Sequence, residues 1–459
     1  MTDYHSIVSK HTFVAISPLD GRYWEDLQVL SSYFSELALF RYRIRVETEY
    51  VILLSEYSII PSLTMQQKKI IRSLYTNFDE KGMNAIKQIE KKTHHDMKAV
   101  EYYLQKQFKK ANISSHIRFI HYGVTSDDIN NIAYSLMLKD SLEIVLLPQL
   151  EILIAKITSL AKQYANSPLL ARTHSQPAIP TTFGKELLNF SQRIIQQKKA
   201  LSEVKLEGKL NGAVGSFQGL ALLHPTIDWI AFSEQFIQSF SLLPNICTTQ
   251  ILPYDSLLVL FHHYESINSI FIGFCQDIWL YCLLGEVTMK TAKGQVGSST
   301  MPQKINPIQF ENAEGNLFVA NSYWQLYARK LAISRLQRDL SDSTIKRTFG
   351  TAISHTLLAW ESIEKGLESL IFREDIAKVH LNEHWEILAE ALQLYLRKAG
   401  DKKGYEIIKT ALQGKTMNQV EFQKLIQELH ISAKEIEAIT PQNYTGLASK
   451  IINLSESKL

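Results

Sequence analysis

An all-α fold is what the sequence predicts, and three observations predict it. Helix breakers are scarce and bunched: of 19 glycines in 459 residues, four stand in EGKLNGAVGSFQG (Gly208, Gly212, Gly215 and Gly219), and only 12 prolines occur. The long stretches between them place apolar residues at the 3.6-residue spacing of an amphipathic helix. Continuous alternation of period two, the mark of a half-buried strand, is scarce. Long helices packed as a bundle satisfy all three.

Taken in order, helical runs cover residues 31–57, 81–110, 127–165, 183–204, 254–284, 311–336 and 350–370. The lysines of the second run read as the solvated face of one helix, because charge runs usually serve solubility. In the third, Ile129, Ile132, Ala133 and Leu136 recur at helical spacing, and Leu150, Leu153, Ile154 and Ile157 repeat the pattern beyond Pro148. That segment reads as two helices, or as one bent near the proline. The most apolar run, 269–285, falls short of a bilayer span and carries Gln276 and Asp277, so it reads as a core helix buried on most sides. Loop-like KKANISSH at 109–116 and FREDIAKVH at 372–380 suggest boundaries for three domains, 1–114, 115–364 and 365–459.

Composition narrows the class of function. The balance of 49 basic and 46 acidic residues leaves a formal charge of +3, no footprint for wrapping nucleic acid, although a small anionic ligand stays compatible. Cys247, Cys275 and Cys282 form no CxxC pair, and no His/Cys cluster has zinc-ligand spacing, so a reducing cytoplasm without a metal site is expected. Residues 1–23 lack the basic region and apolar block of a signal peptide, and no membrane partner is expected.

Five polar islands interrupt the helical text: SPLDGRY (17–23), THHDMKAVE (93–101), HYGVTSDDINN (121–131), LARTHSQPAIPTTFGKE (170–186) and GSSTMPQKINP (297–307). Singly, each has an ordinary reading. Thr125 or Ser126 makes a sound N-cap with acids in the first turn. His174 could simply hydrogen-bond a loop. His94, His95 and Asp96 are neighbours that a helix points about 100° apart, which does not gather them on one ion. The last island lacks the spacing of a phosphate-cradling Walker loop.

Together they say more. GSSTMPQKINP followed by Glu311 resembles the signature loop of the fumarase/aspartase superfamily, ARTHSQPAIPTTFGKE resembles its Thr-His-x-Gln segment, and VTSDDINN its Thr-Ser-x-Asp segment, in the expected order. SPLDGRY, THHDMKAVEYYL, CTTQILPYD (247–255) and SRLQRDLSDSTIKR (334–347) are similar to the branch of that superfamily acting on adenylosuccinate, in its long bacterial form. The likeness runs from about residue 17 to 444.

The resemblance implies a three-domain fumarase/aspartase-like fold, with a central long-helix bundle that assembles into the helical core of a homotetramer and sites that take segments from three subunits. It implies anti β-elimination of fumarate from phosphorylated succinyl-nucleotides: adenylosuccinate to AMP, and the succinylated aminoimidazole carboxamide ribotide to its carboxamide. No metal or organic cofactor is implied. By motif, Ser298 is the carbon base and His174 the general acid. Lys304 and Asn306 steady the growing carboxylate charge, Glu311 orients His174, and His95 supports binding. Arg22, Tyr23, His94, His95, Asp96, Thr125, Ser126, Gln250, Lys304, Asn306, Arg338, Ser343 and Arg347 are implied to bind substrate. A serine hydroxyl is too weak an acid to ionise unaided at neutral pH, so Ser298 needs an oriented base or a positive field such as that of Lys304. Histidine suits the acid because its unperturbed pKa of about 6.5 lies near working pH.

Two positions depart from the branch's usual pattern, Ser175 where glycine is common and His94 where asparagine is. Competing readings are another superfamily lyase, acting on argininosuccinate or a carboxymuconate, and a structural protein that keeps only the fold. The branch islands disfavour the first, and retention of Ser298, Lys304 and His174 the second.

Overall fold

The first long helix, α1 (Glu36–Glu56), starts where the Ser35 hydroxyl accepts the Ala38 N–H at 3.1 Å. In the computed structural model, which describes residues 13–290, 301 and 303–456, helices dominate. The chain divides into two units, Met1–Gln149 with Lys198–Ser269 and Asn316–Leu358, and Leu150–Gln197 with Ile270–Gly315 and Ala359–Leu459.

In the first unit, the lysine-bearing run expected as one helix is two, α2 (Glu80–Thr93) and α3 (Asp96–Lys110). His94 at φ 51° ends α2 in the left-handed conformation, which stops the i→i−4 ladder, and His95 caps α3. Next comes α4 (Ser126–Gln163), a single helix where two were an alternative. Its π turn at Leu142–Leu146, with the Leu147 N–H on the Leu142 carbonyl, makes room for Pro148. A regular ladder would drive that ring into the carbonyl of Ile144. By length and composition α4 could cross a membrane, and 33% of its most apolar window is buried inside the chain.

The strands are short. In the second unit β1 (Pro168–Thr173) and β2 (Gln176–Thr182) form an antiparallel hairpin, followed by α5 (Phe183–Ser202). In the first unit β3 (Glu207–Gly208) and β4 (Leu243–Pro244) pair in parallel. Helix α6 (Asp255–Leu283) leads to β5 (Val287–Met289), and α7 (Ile308–Leu331), α8 (Ser341–Lys346) and α9 (Phe349–Ser369) follow. In the second unit β6 (Leu370–Phe372) pairs antiparallel with β5 and is followed by α10 (Glu374–Asn382).

The first unit packs around Trp324, which stacks on Phe261 and Tyr264, with Tyr327 and Phe349 against Phe261. Replacing a buried aromatic of this size by alanine costs about 3–5 kcal/mol. The second unit stacks Phe183 on Phe372 and, near the C-terminus, gathers Leu381, Trp385, Leu388, Phe422 and Leu425. The 269–285 run departs from expectation. Phe271, Phe274, Cys275 and Ile278 are buried, whereas Trp279, Leu280 and Leu283 are exposed, so one stripe rather than most sides faces inward.

Candidate active site

In the second unit, His174 and Ser175 are the two turn residues between β1 and β2, closed by the pair Thr173 and Gln176. Their φ values are 53° and 62°, the pattern of the two-residue hairpin turn that Asn-Gly favours. Glycine adopts this left-handed backbone without strain and asparagine tolerates it, so Ser175 in the turn and His94 at its αL cap both hold a conformation that suits those residues better. The hairpin presents the His174 ring to solvent.

Two residues earlier, Arg172 donates to the fully buried Glu286 at 3.3 Å, and Glu286 also meets His380 Nδ1 at 2.8 Å. This carboxylate, just ahead of β5, holds the root of the hairpin. Glu311 accepts from the Trp279 indole at 3.2 Å, and its described contacts do not include His174. Burial, with the charge of Glu311 second, pushes the Cys282 thiol up to about 11. Lys304 is exposed, while Asn306 lines a cavity of about 340 Å³ with Met289, Lys290, Lys365 and Ser369. Ser298, Gly297 and Pro302 lie outside the described residues.

The first unit gathers the other expected residues. The turn at 17–23 is closed by Gly21 N–H to Ser17 O at 3.1 Å and Tyr23 N–H to Pro18 O at 2.9 Å, and Arg22 lies over the Tyr23 ring at 5.8 Å. Ser17, Leu19 and Asp20 of this turn line a cavity of about 290 Å³ with Arg347, whereas Arg22 and Tyr23 are not among its lining residues. His95 Nδ1 accepts the Lys98 N–H at 3.2 Å, which leaves the proton of the neutral ring on Nε2. Asp96 sits 2.9 Å from Arg43 and 3.6 Å from Arg347. Burial opposes its charge, but Arg43, the Met97 amide and Arg347 outweigh burial and hold its carboxyl below the usual aspartate value.

Thr125 caps α4 in a reciprocal box, and its N–H donates to Asp128 Oδ2 at 2.8 Å. Asp128 also accepts from Asn211 and Gly212 and pairs with the buried Lys209 at 3.0 Å. Arg338 donates to the Gln250 side chain at 3.3 Å, which brings two expected residues together.

Sequence reasoning missed Arg43, His121 and Lys346. Arg43 is buried and reaches Asn130 at 2.8 Å as well as Asp96. His121 pairs with the fully buried Glu47 at 2.5 Å; burial opposes its proton, yet Glu47 wins and raises its pKa. Lys346, itself buried, stands between Asp342 and Asp127, which outweigh burial and raise its pKa. The one sequence signal was the spacing of Asp342 and Lys346, four apart on a helix. Among the described residues no group of three His, Cys, Asp or Glu side chains could hold a metal ion.

Comparison with known proteins identifies the family and the fold. A family described as lyase matches residues 21–320, and one described as adenylosuccinate lyase C-terminal matches residues 334–445. An adenylosuccinate lyase of Legionella pneumophila is 42% identical over 95% of this chain and 98% of its own. One from Dictyostelium discoideum is 43% identical over 96% and 98%, and one from Escherichia coli is 39% identical over the same shares. Among solved structures, a fumarate lyase from Mesorhizobium sp. BNC1 has a TM-score of 0.77 at 17% identity, covering 94% of this chain and 98% of its own. The β-carboxy-cis,cis-muconate cycloisomerase from Acinetobacter calcoaceticus has 0.75 at 18%, covering 95% and 100%. Those two likenesses establish the all-α, fumarase-like fold, and with the near-full-length relatives they lead to one conclusion: the chain belongs to the adenylosuccinate lyase family of the fumarase/aspartase superfamily.

Proposed function

We propose that this protein is a fumarate-releasing C–N lyase of purine biosynthesis, cleaving adenylosuccinate to AMP and succinylaminoimidazole carboxamide ribotide to its carboxamide ribotide. The near-full-length likeness to adenylosuccinate lyases from both bacteria and a eukaryote carries the reading. In the proposed reaction Ser298 takes the proton from the carbon beside a succinyl carboxylate. The electron pair left behind spreads onto that carboxylate, where Lys304 and Asn306 stabilise it. The C–N bond then breaks, and His174 protonates the departing nitrogen. The solvent-facing place of His174 on a short hairpin supports this role, because a tip held by two strands carries its ring on rigid backbone. Glu311 serves as the acid's orienting carboxylate, supplied by another subunit, and His95 supports binding.

With the succinyl end assigned to Lys304 and Asn306, the donors of the first unit take the nucleotide. Arg338, Ser343 and Arg347 receive the phosphate, since a guanidinium forks onto phosphate oxygens as an ammonium cannot. Arg22, Tyr23, His94, Asp96, Thr125, Ser126 and Gln250 complete the pocket. The reading includes a homotetramer with sites shared among subunits, which the family likeness supports. A cytoplasmic location fits three unpaired cysteines. The test is incubation of the purified protein with adenylosuccinate: fumarate and AMP in equal amounts are expected, and no fumarate would sink the reading.

A further inference from the structure

Three of the phosphate- and nucleotide-facing residues sit beside buried charge. Ser126 begins α4, and the next residue, Asp127, is fully buried. On α8, Asp342 and Lys346 are four apart and buried, while Ser343 is half-buried and Arg347, just past its end, is exposed. Helical spacing thus gives this turn an inner charged stripe and an outer donor stripe.

The inner stripe closes on α4. Lys346 Nζ lies 2.8 Å from Asp342 Oδ2 and 3.6 Å from Asp127 Oδ1. It donates to the Tyr254 oxygen at 2.8 Å and lies 5.4 Å from the centre of the Tyr134 ring. The Tyr254 hydroxyl in turn donates to Asp342 at 2.5 Å. Neither oxygen of Asp127 accepts a hydrogen bond among the described residues, so the shared cation is what balances its charge. Stability alone would not call for this arrangement, because a buried ion pair is often matched or bettered by apolar residues of similar volume. What one cation between two acids supplies is position: α8 can neither rotate nor slide against the start of α4 without unpairing a buried charge.

We propose that Lys346 is a positioning residue for the phosphorylated end of the substrate, setting the spacing between Ser126 on α4 and Ser343 with Arg347 at α8. The inference rests on the reading of those three residues as substrate binders. Lys346 acts only through Asp127, Asp342 and Tyr254.

Full-length Lys346→Met and Asp127→Asn are compared with wild type; the second keeps Lys346 paired with Asp342 and leaves no unbalanced charge. Coupling energies of neighbouring buried groups predict a KM for adenylosuccinate raised about tenfold in Lys346→Met and about fivefold in Asp127→Asn, with kcat within about twofold of wild type. AMP affinity, measured by calorimetry, falls by the same factors. Inhibition by fumarate, the product that carries no phosphate, stays at the wild-type level, an outcome that a general loosening of the fold would not produce. KM and AMP affinity less than twofold from wild type, or an equal loss of fumarate inhibition, overturns the proposal. If Lys346→Met does not fold, Asp127→Asn decides by the same criteria. A wild type that binds AMP but releases no fumarate defeats the reaction proposed above, and the AMP affinities still decide this inference. A wild type that binds no AMP overturns both.

Discussion

His174 and Ser175 share one tight turn, and both hold left-handed backbone, with φ of 53° and 62°. A non-glycine residue in that region gives up about 1–2 kcal/mol. Glycine at 175 would remove the penalty while giving back about 0.4–1 kcal/mol in unfolded-chain entropy. Ser175→Gly is therefore expected to stabilise the protein by about 0.5–1 kcal/mol, seen as a higher midpoint in thermal or urea unfolding. A lower midpoint would mean that the Ser175 side chain makes contacts worth more than the strain.

Asp96 answers to acid. Its folded-state pKa lies below the ordinary value, so its contribution to stability is complete above that value and disappears as pH falls through the lowered one. Asp96→Asn leaves Arg43 buried without its counter-charge, and a loss of about 1–3 kcal/mol is expected at pH 7. The difference between variant and wild type should hold constant from neutral pH down to about 4.5 and shrink only below the ordinary aspartate value near 3.9. A difference already fading at pH 6 would assign the effect to another group.

The His121–Glu47 pair runs the other way. A histidine pKa raised on folding contributes stability that is full below the unfolded value, about 6.5, and is lost as pH rises through the raised one. Glu47→Gln should therefore lower the unfolding midpoint more at pH 6 than at pH 9. A deficit that grows with pH would contradict a protonated His121 in this pair.

Ser298→Ala and His174→Ala should each cut turnover of adenylosuccinate by about 10²–10⁴-fold, the worth of a positioned proton transfer, with circular dichroism unchanged. Either variant at near-wild-type turnover ends its assignment. Mixing the two inactive proteins under conditions of subunit exchange should restore part of the activity if sites are shared; verified mixed oligomers without recovery would exclude sharing.

Much of this was legible in one dimension, and some was not, for reasons seen in particular residues. The capping box joins Thr125 and Asp128, three positions apart, and could be read directly. The hairpin around His174 hid behind Pro177 and Pro180, which argue against a central strand but sit comfortably in a two-stranded ladder with free edges. The break at His94 was hidden because a left-handed cap there has neither glycine nor asparagine to announce it.

The sequence by itself determined the all-α class, most of the long helical runs, the order of the motifs and the family they belong to, since helical periodicity and motif spacing are local properties of the chain. Only the tertiary structure decided which charges meet. Asp96 finds Arg43 across 53 positions and Lys346 finds Asp127 across 219, as the residue numbers give. No periodicity reports such pairs, because burial makes an isolated charge costly whatever its sequence distance, and the partner is whichever opposite charge the packing brings near.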